Sequence, residues 1–368
     1  MFDASHPREK PCGGGITGRA LALVADAVDA TAFARTRIRS ARFTHRAFAA
    51  SAGERRPADE SATVALDGEA LVVASRADFD AALLAAAERA GAILDRTRVT
   101  DVRVDATGVR LETRTGSHRA DFVIGADGAN SLVRRRVAEA FRRDQLSIAT
   151  GFFAHDVTSD EVVIELVADP PGYIWSFPRP GHLAVGICAQ ADAGLSVEQL
   201  RARTAAWIRD TGIADGARLE PYAWPIPSLS VRDARAPTAA GPRWQLVGDA
   251  AGLVDPITRE GIYFALASGQ WAAESLLSGA TAAYAERVAD ESGAELARAA
   301  RFKAGFFRPA FIGVLMRGLE QSAAIRVVMA DLIAGRQSYA DLKWRLLKTF
   351  ELGLAWRLLT ADHRHQRE

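Results

Sequence analysis

Two hydrophobic rhythms run along this chain, and the places where they change mark its elements. Residues 78–90 (DFDAALLAAAERA) have helical spacing, with Asp78 placed to cap the helix and Gly91 to stop it. An earlier helix is predicted over 20–34, behind a glycine-rich loop, and weakly patterned strand-like sequence then runs to Ser75 around a polar loop at 53–61. Period-two alternation at 99–104 and 109–113, with turns at Gly108 and Gly116, predicts antiparallel strands. A short apolar run at 122–125 has the character of a buried parallel strand, and a second short buried strand is predicted at 244–247. Residues 151–230 are rich in β-branched, aromatic and turn residues and predict an antiparallel sheet. Helices are predicted over 260–277 and almost throughout 282–359. The fold class is α/β, with a mixed second domain and a helical C-terminal region.

Composition narrows the classes. The 368 residues exceed one compact core, so more than one domain is expected. A balance of 46 Lys+Arg against 45 Asp+Glu lacks the basic excess of a nucleic-acid binder. Cys12 and Cys188 are too few for a disulfide framework, which points to a reducing compartment and a cytoplasmic setting. The first residues lack the apolar core of a signal peptide. The apolar stretch 306–319 is interrupted by Arg308 and Arg317 and is too short to span a bilayer.

Chemistry concentrates in three segments. In WQLVGDAAGLVDPITREGIYFALASG (244–269), a strand ends at Gly248, and Asp249 stands at its carboxyl end, the usual ligand crevice of an α/β sheet. Such a carboxylate can accept hydrogen bonds from sugar-like hydroxyls. Gly261 and Ile262 then open a helix whose free N–H groups favour negative charge. The second segment, DFVIGADGANSLVRRRV (121–137), repeats the strand–glycine–aspartate order, although Asp127 reads equally well as a helix cap or as a ligand contact. In the third, PGYIWSFPRPGHLAVGI (171–187), Tyr173, Trp175 and Phe177 share one face of a strand, as core or as a ligand wall.

The two glycine–aspartate segments together resemble the flavoprotein hydroxylase and reductase superfamily. Within it, the KPCGGG loop (10–15) and the DPITREGI segment (255–262) resemble the geranylgeranyl reductase family, along nearly the whole chain. The resemblance implies a discontinuous Rossmann-like FAD-binding domain (1–40, 76–150 and 241–285), an antiparallel-sheet substrate domain (41–75 and 151–240) and a helical region (286–368). It implies an FAD-dependent oxidoreductase that reduces double bonds of an isoprenoid chain by hydride transfer from reduced flavin, after the flavin takes electrons from NAD(P)H or a ferredoxin-type protein. Cofactor contacts would come from Asp3, Cys12, Gly13, Gly15, Arg76, Val99, Asp127, Asp249, Gly261 and Ile262. Tyr173, Trp175, Phe177 and Gly186 would line the substrate pocket, with Cys12 or Tyr173 as proton donor, and no metal is implied.

The chain departs from the family pattern at Cys188 and Arg259, where glycine is expected or commoner. The superfamily's strand–GxGxxG–helix unit is not in the sequence, and Asp3 sits where the ribose-binding acid that follows such a unit belongs. The expectation is a longer functional protein, with substoichiometric flavin on these 368 residues. Rival readings are an aromatic hydroxylase using the same FAD motifs with oxygen, a flavin halogenase, and a lipid-binding remnant without flavin. Against the halogenase, no lysine lies between Lys10 and Lys303. From Arg301 onward, twelve basic residues face six acidic ones. With Phe306, Phe307, Phe311, Trp344 and Trp356, this region could also lie on an anionic membrane surface.

Overall fold

The computed structural model describes residues 1–29, 31–45, 60–67, 70–235 and 237–349. Its largest sheet runs in the order Arg218–Pro227, Leu146–His155, His182–Gln190, Pro171–Arg179, Glu161–Ala168, Ser40–His45 and Glu60–Ala65. Neighbours are antiparallel except Glu161–Ala168 with Ser40–His45. Its two faces are covered by different helices. Helix Val197–Thr211, capped by Ser196 and Gln199, buries Leu200, Trp207 and Ile208 against one region. Helix Pro309–Gln321 buries Ile312, Met316 and Leu319 against another, joined by Ile325 and Val328 of helix Ala323–Ile333, each side chain contributing about 1.5–3 kcal/mol by leaving water.

The ligand-crevice strands lie in a second sheet. Trp244–Leu246 pairs in parallel with Val123–Gly125, so the two glycine–aspartate turns leave the sheet side by side. A third sheet joins Gly15–Thr17, Leu71–Ala74 and Arg35–Arg37. Leu71–Ala74, which falls in the substrate domain that the resemblance implies, pairs with the strand leaving the KPCGGG loop and not with the large sheet. A meander of Val99–Asp105, Gly108–Thr113 and Ser117–Ala120 completes the strands.

Several local readings need correction. The helix expected over 20–34 is only Gly18–Ala22, followed by turns. Asp29 explains the break, because its carboxylate accepts from both the backbone N–H and the hydroxyl of Thr31, 2.7 Å each, favouring a turn over a helix. The next helix spans Arg76–Arg89, and Ser75, not Asp78, occupies its N-cap. Of the polar loop expected over 53–61, only Glu60 and Ser61 are described, and they open a strand.

The C-terminal region divides at Pro309, Ser322 and Gly335 into the helices Ala294–Phe306, Pro309–Gln321, Ala323–Ile333 and Tyr339–Lys348. Phe306 and Phe307 are buried in the core and Phe311 packs against it half-buried; Trp344 stays exposed and Trp356 lies outside the described residues. No described helix is long and apolar enough to cross a membrane.

Candidate functional site

The KPCGGG loop is held from below by a side chain that the pattern analysis passed over. Arg179 is fully buried and pairs with Glu9, while its guanidinium also donates to the carbonyls of Lys10, Cys12 and Gly13. Glu9 in turn accepts from the Ser75 hydroxyl at 2.6 Å and the Arg76 N–H at 3.1 Å. Burial alone would raise the Glu9 carboxyl, but Arg179 and Ser75 outweigh it and hold the group below its ordinary value. Arg179 was legible in principle, since it continues the period-two face of Tyr173, Trp175 and Phe177.

The loop's glycines are demanded by this packing. Gly14 has φ +85°, and a Cβ there would lie 2.4 Å from the Ala74 carbonyl. Cβ atoms at Gly13 and Gly15 would meet the Phe177 ring at 3.1 and 2.9 Å. The absence of side chains at Gly13 and Gly15 therefore admits Phe177, and it is not by itself evidence of a cofactor.

Above the loop, charges converge. Arg76 pairs with Asp80 at 2.9 Å, and Lys10 reaches the same carboxylate at 2.5 Å. Burial would raise Asp80, but the two cations hold it low. Arg76 also lies beside Cys12, whose sulfur accepts from the Gly14 N–H. Asp249 faces this cationic pair. Burial raises its carboxyl above the ordinary value, and Arg76 and Lys10 offset only part of that rise. Asp249 is also close to Gly261, where a Cβ would lie 3.2 Å from its Oδ1. Gly261 opens helix Ile262–Leu277, which has no side-chain cap. Ile262 turns its side chain into the core beneath.

One observation bears on whether these residues suit FAD. The Asp249 carboxylate accepts no hydrogen bond from any described residue, although it lies beside a helix start whose first N–H groups lack a side-chain cap. An unfilled acceptor, uncapped donors and two cations meet at one place, which complements a ligand carrying hydroxyls, carbonyls and phosphates. Lys10, Cys12, Arg76, Asp249, Gly261 and Ile262 are the residues that would hold it.

Other expected contacts are placed differently. The Asp127 carboxylate accepts from the N–H groups of Leu132 and Val133 and from Ser131, so it caps helix Leu132–Val137 and its acceptors are occupied locally. Asp3 accepts from the N–H groups of Ser5 and His6, an Asx turn within its own segment. Val99 begins the meander and packs against the core that contains Val102 and Leu111. None of the three is drawn to Asp249.

In the aromatic stripe, Trp175 is core, packed with Phe153, Cys188 and Tyr222, while Tyr173 and Phe177 are half-buried at its ends. Gly186 lies opposite Trp175, and a Cβ there would stand 2.6 Å from that ring and 2.5 Å from the Tyr222 hydroxyl. Tyr173 donates to the Thr258 carbonyl at 2.9 Å, and burial pushes its hydroxyl well above the ordinary value. That proton is committed to a backbone bond. The expected choice of Cys12 or Tyr173 as proton donor gains no geometric support on the tyrosine side.

Residues 17–267 match the family model described as FAD binding domain. A menaquinone reductase of Mycolicibacterium smegmatis is 29% identical over 297 residues, 76% of this chain and 70% of that protein. A chloroplastic geranylgeranyl diphosphate reductase of Nicotiana tabacum is 35% identical over 180 residues, but the match spans 47% of this chain and only 36% of that relative. Among solved structures, a geranylgeranyl bacteriochlorophyll reductase-like protein of Thermoplasma acidophilum shares the fold with a TM-score of 0.73, at 21% identity, covering 95% of this chain and 90% of that one. The chain belongs to the FAD binding domain family, as an FAD-dependent oxidoreductase of the geranylgeranyl reductase type.

Proposed function

We propose that this chain reduces carbon–carbon double bonds of an isoprenoid. The observation that carries the reading is the contact between the aromatic strand and the cofactor loop: Phe177 packs on Gly13 and Gly15, and Arg179, two residues on, anchors the same loop. An apolar wall that ends on the loop expected to hold a flavin suits a substrate with few hydrogen-bonding groups and a reaction at a hydrocarbon. Relatives named for the reduction of isoprenoid-bearing molecules support it.

Bound FAD would supply hydride chemistry, recharged by an external donor, either NAD(P)H or a ferredoxin-type protein. The chain's own residues prepare the site. Asp249 would accept from the cofactor's hydroxyls, and Lys10 and Arg76 would stabilise negative charge beside it. The start of helix Ile262–Leu277 would favour negative charge at the ring edge nearest Gly261. Arg179 positions the loop without reaching the reacting atoms.

Anaerobic incubation of the chain with FAD, dithionite and geranylgeranyl diphosphate or geranylgeraniol tests the reading. A product heavier by two hydrogens per reduced bond is expected. Formation of product only when oxygen is admitted, with oxygen incorporated, would replace the reductase by a hydroxylase.

A further inference from the structure

At the end of the aromatic stripe far from the glycine loop, two cations meet without a counterion among the described residues. The Ser228 hydroxyl accepts from Arg259 Nη1 at 2.7 Å and from Lys303 Nζ at 2.7 Å. Lys303 also donates to Gln190 Oε1 at 2.5 Å, an atom that accepts from the Ser228 hydroxyl as well. One hydroxyl and one amide therefore hold two positive charges. Among the described residues neither cation has an ion pair, and the Arg259 Nε is buried with no hydrogen-bond partner. Asp192 acts on Lys303 only through space. Arg259, Lys303 and Gln190 all keep part of their surface open.

The cluster is assembled at a cost. Arg259 stands at φ +62°, a left-handed conformation that a glycine would adopt more easily. Burial, reinforced by Arg259, pulls the Lys303 ammonium down to about 7. An ordinary core would replace such a pair with apolar groups or add a carboxylate.

Its position relates it to the substrate wall. Tyr173 bonds the loop carrying Arg259 through Thr258, and Cys188, in register with Tyr173, lies within electrostatic reach of Lys303. Phe177, at the opposite end of the stripe, touches the glycine loop. Tyr173 and Phe177 are four residue steps apart along the strand, about 13 Å. The wall thus runs from the expected cofactor loop to an uncompensated cationic cluster.

We infer that Arg259, Lys303 and Ser228 form a subsite for a phosphate-type oxyanion at the head of the isoprenoid, and that they select anionic-headed chains over neutral ones. Guanidinium and ammonium would donate charge-assisted hydrogen bonds to the same group, with the Arg259 Nε gaining the partner it lacks. This assignment rests on the isoprenoid reading of the preceding section.

The test measures binding of geranylgeranyl diphosphate, geranylgeraniol and inorganic pyrophosphate to the full chain by quenching of tryptophan fluorescence, with competition for the pyrophosphate arm. The native chain is expected to bind the diphosphate lipid about tenfold or more tightly than the alcohol. Lys303→Met and Arg259→Gly should each bring that ratio toward one, with geranylgeraniol binding unchanged as the control for folding. Equal binding of the two lipids by the native chain, or a preference that survives both substitutions, overturns the subsite and leaves the isoprenoid reading standing. Pyrophosphate binding as tightly as the lipid overturns the head-group assignment in favour of a free phosphate. Failure of both lipids to bind overturns the isoprenoid reading together with this one.

Discussion

Two cationic centres flank the same aromatic strand, one fully buried and one half-buried, and the chain treats them in opposite ways. Arg179 is matched by Glu9 and by three loop carbonyls, so its charge is spent entirely on the protein. Lys303 and Arg259 share one hydroxyl and, among the described residues, pair with no carboxylate, so their charge is left for something else. A compensated buried charge makes structure, whereas an uncompensated one costs stability and is kept for a ligand. Asp249 belongs with the second kind, as a carboxylate raised by burial and supplied with no hydrogen-bond donor among the described residues.

The largest expected effect breaks the compensated centre. Arg179→Met leaves Glu9 partly buried without its cation and releases the loop, lowering stability by about 3 kcal/mol in urea denaturation. Adding Glu9→Gln should recover part of that loss, which a merely space-filling role for Arg179 would not allow. Next comes Gly14→Ala, which forces a Cβ against the Ala74 carbonyl at positive φ, and a loss of about 2 kcal/mol is expected by the same measurement.

Asp249→Asn should move the two readouts apart. FAD affinity, followed by flavin fluorescence, is expected to fall about tenfold, since a charged acceptor becomes neutral. Stability without ligand should hold or rise. The sign follows from the raised carboxyl: its contribution is full below the unfolded value of 3.8 and is lost as pH climbs through the folded value, so Asp249→Asn should flatten that acid-side decline.

The smallest effect sharpens the other side of the comparison. Lys303 is pulled from 10.5 to about 7, so between those values the unfolded chain binds more protons and stability rises with pH. Lys303→Met should remove that rise and raise the melting temperature at neutral pH by a few degrees, about 1 kcal/mol. A lower melting temperature at neutral pH would place Lys303 with Arg179 as a structural cation.

Much of the fold could be read locally. Apolar runs before Gly125 and Gly248, the alternation of Tyr173, Trp175 and Phe177, and the helix opening at Gly261 all carry their period or turn chemistry within a few residues. The sheet that strand Leu71–Ala74 joins was not legible, because an all-buried run states only that both faces are covered, not by what. Asp127 was ambiguous because a cap and a ligand contact ask for the same side chain in the same turn, and only the bonds from Leu132 and Val133 decide between them. Lys303 did leave a trace, as one of four lysines in a chain whose positive charge is nearly all arginine.

By itself the sequence determined the strands and turns, because period and backbone preference are local properties, and its motif order carried the resemblance to flavoproteins. Tertiary structure alone decided which charges are compensated. Arg179 meets Glu9 across 170 positions, and Lys303 meets Ser228 across 75. A charge announces itself in sequence, but its partner, or the lack of one, exists only where distant segments close around it and exclude water.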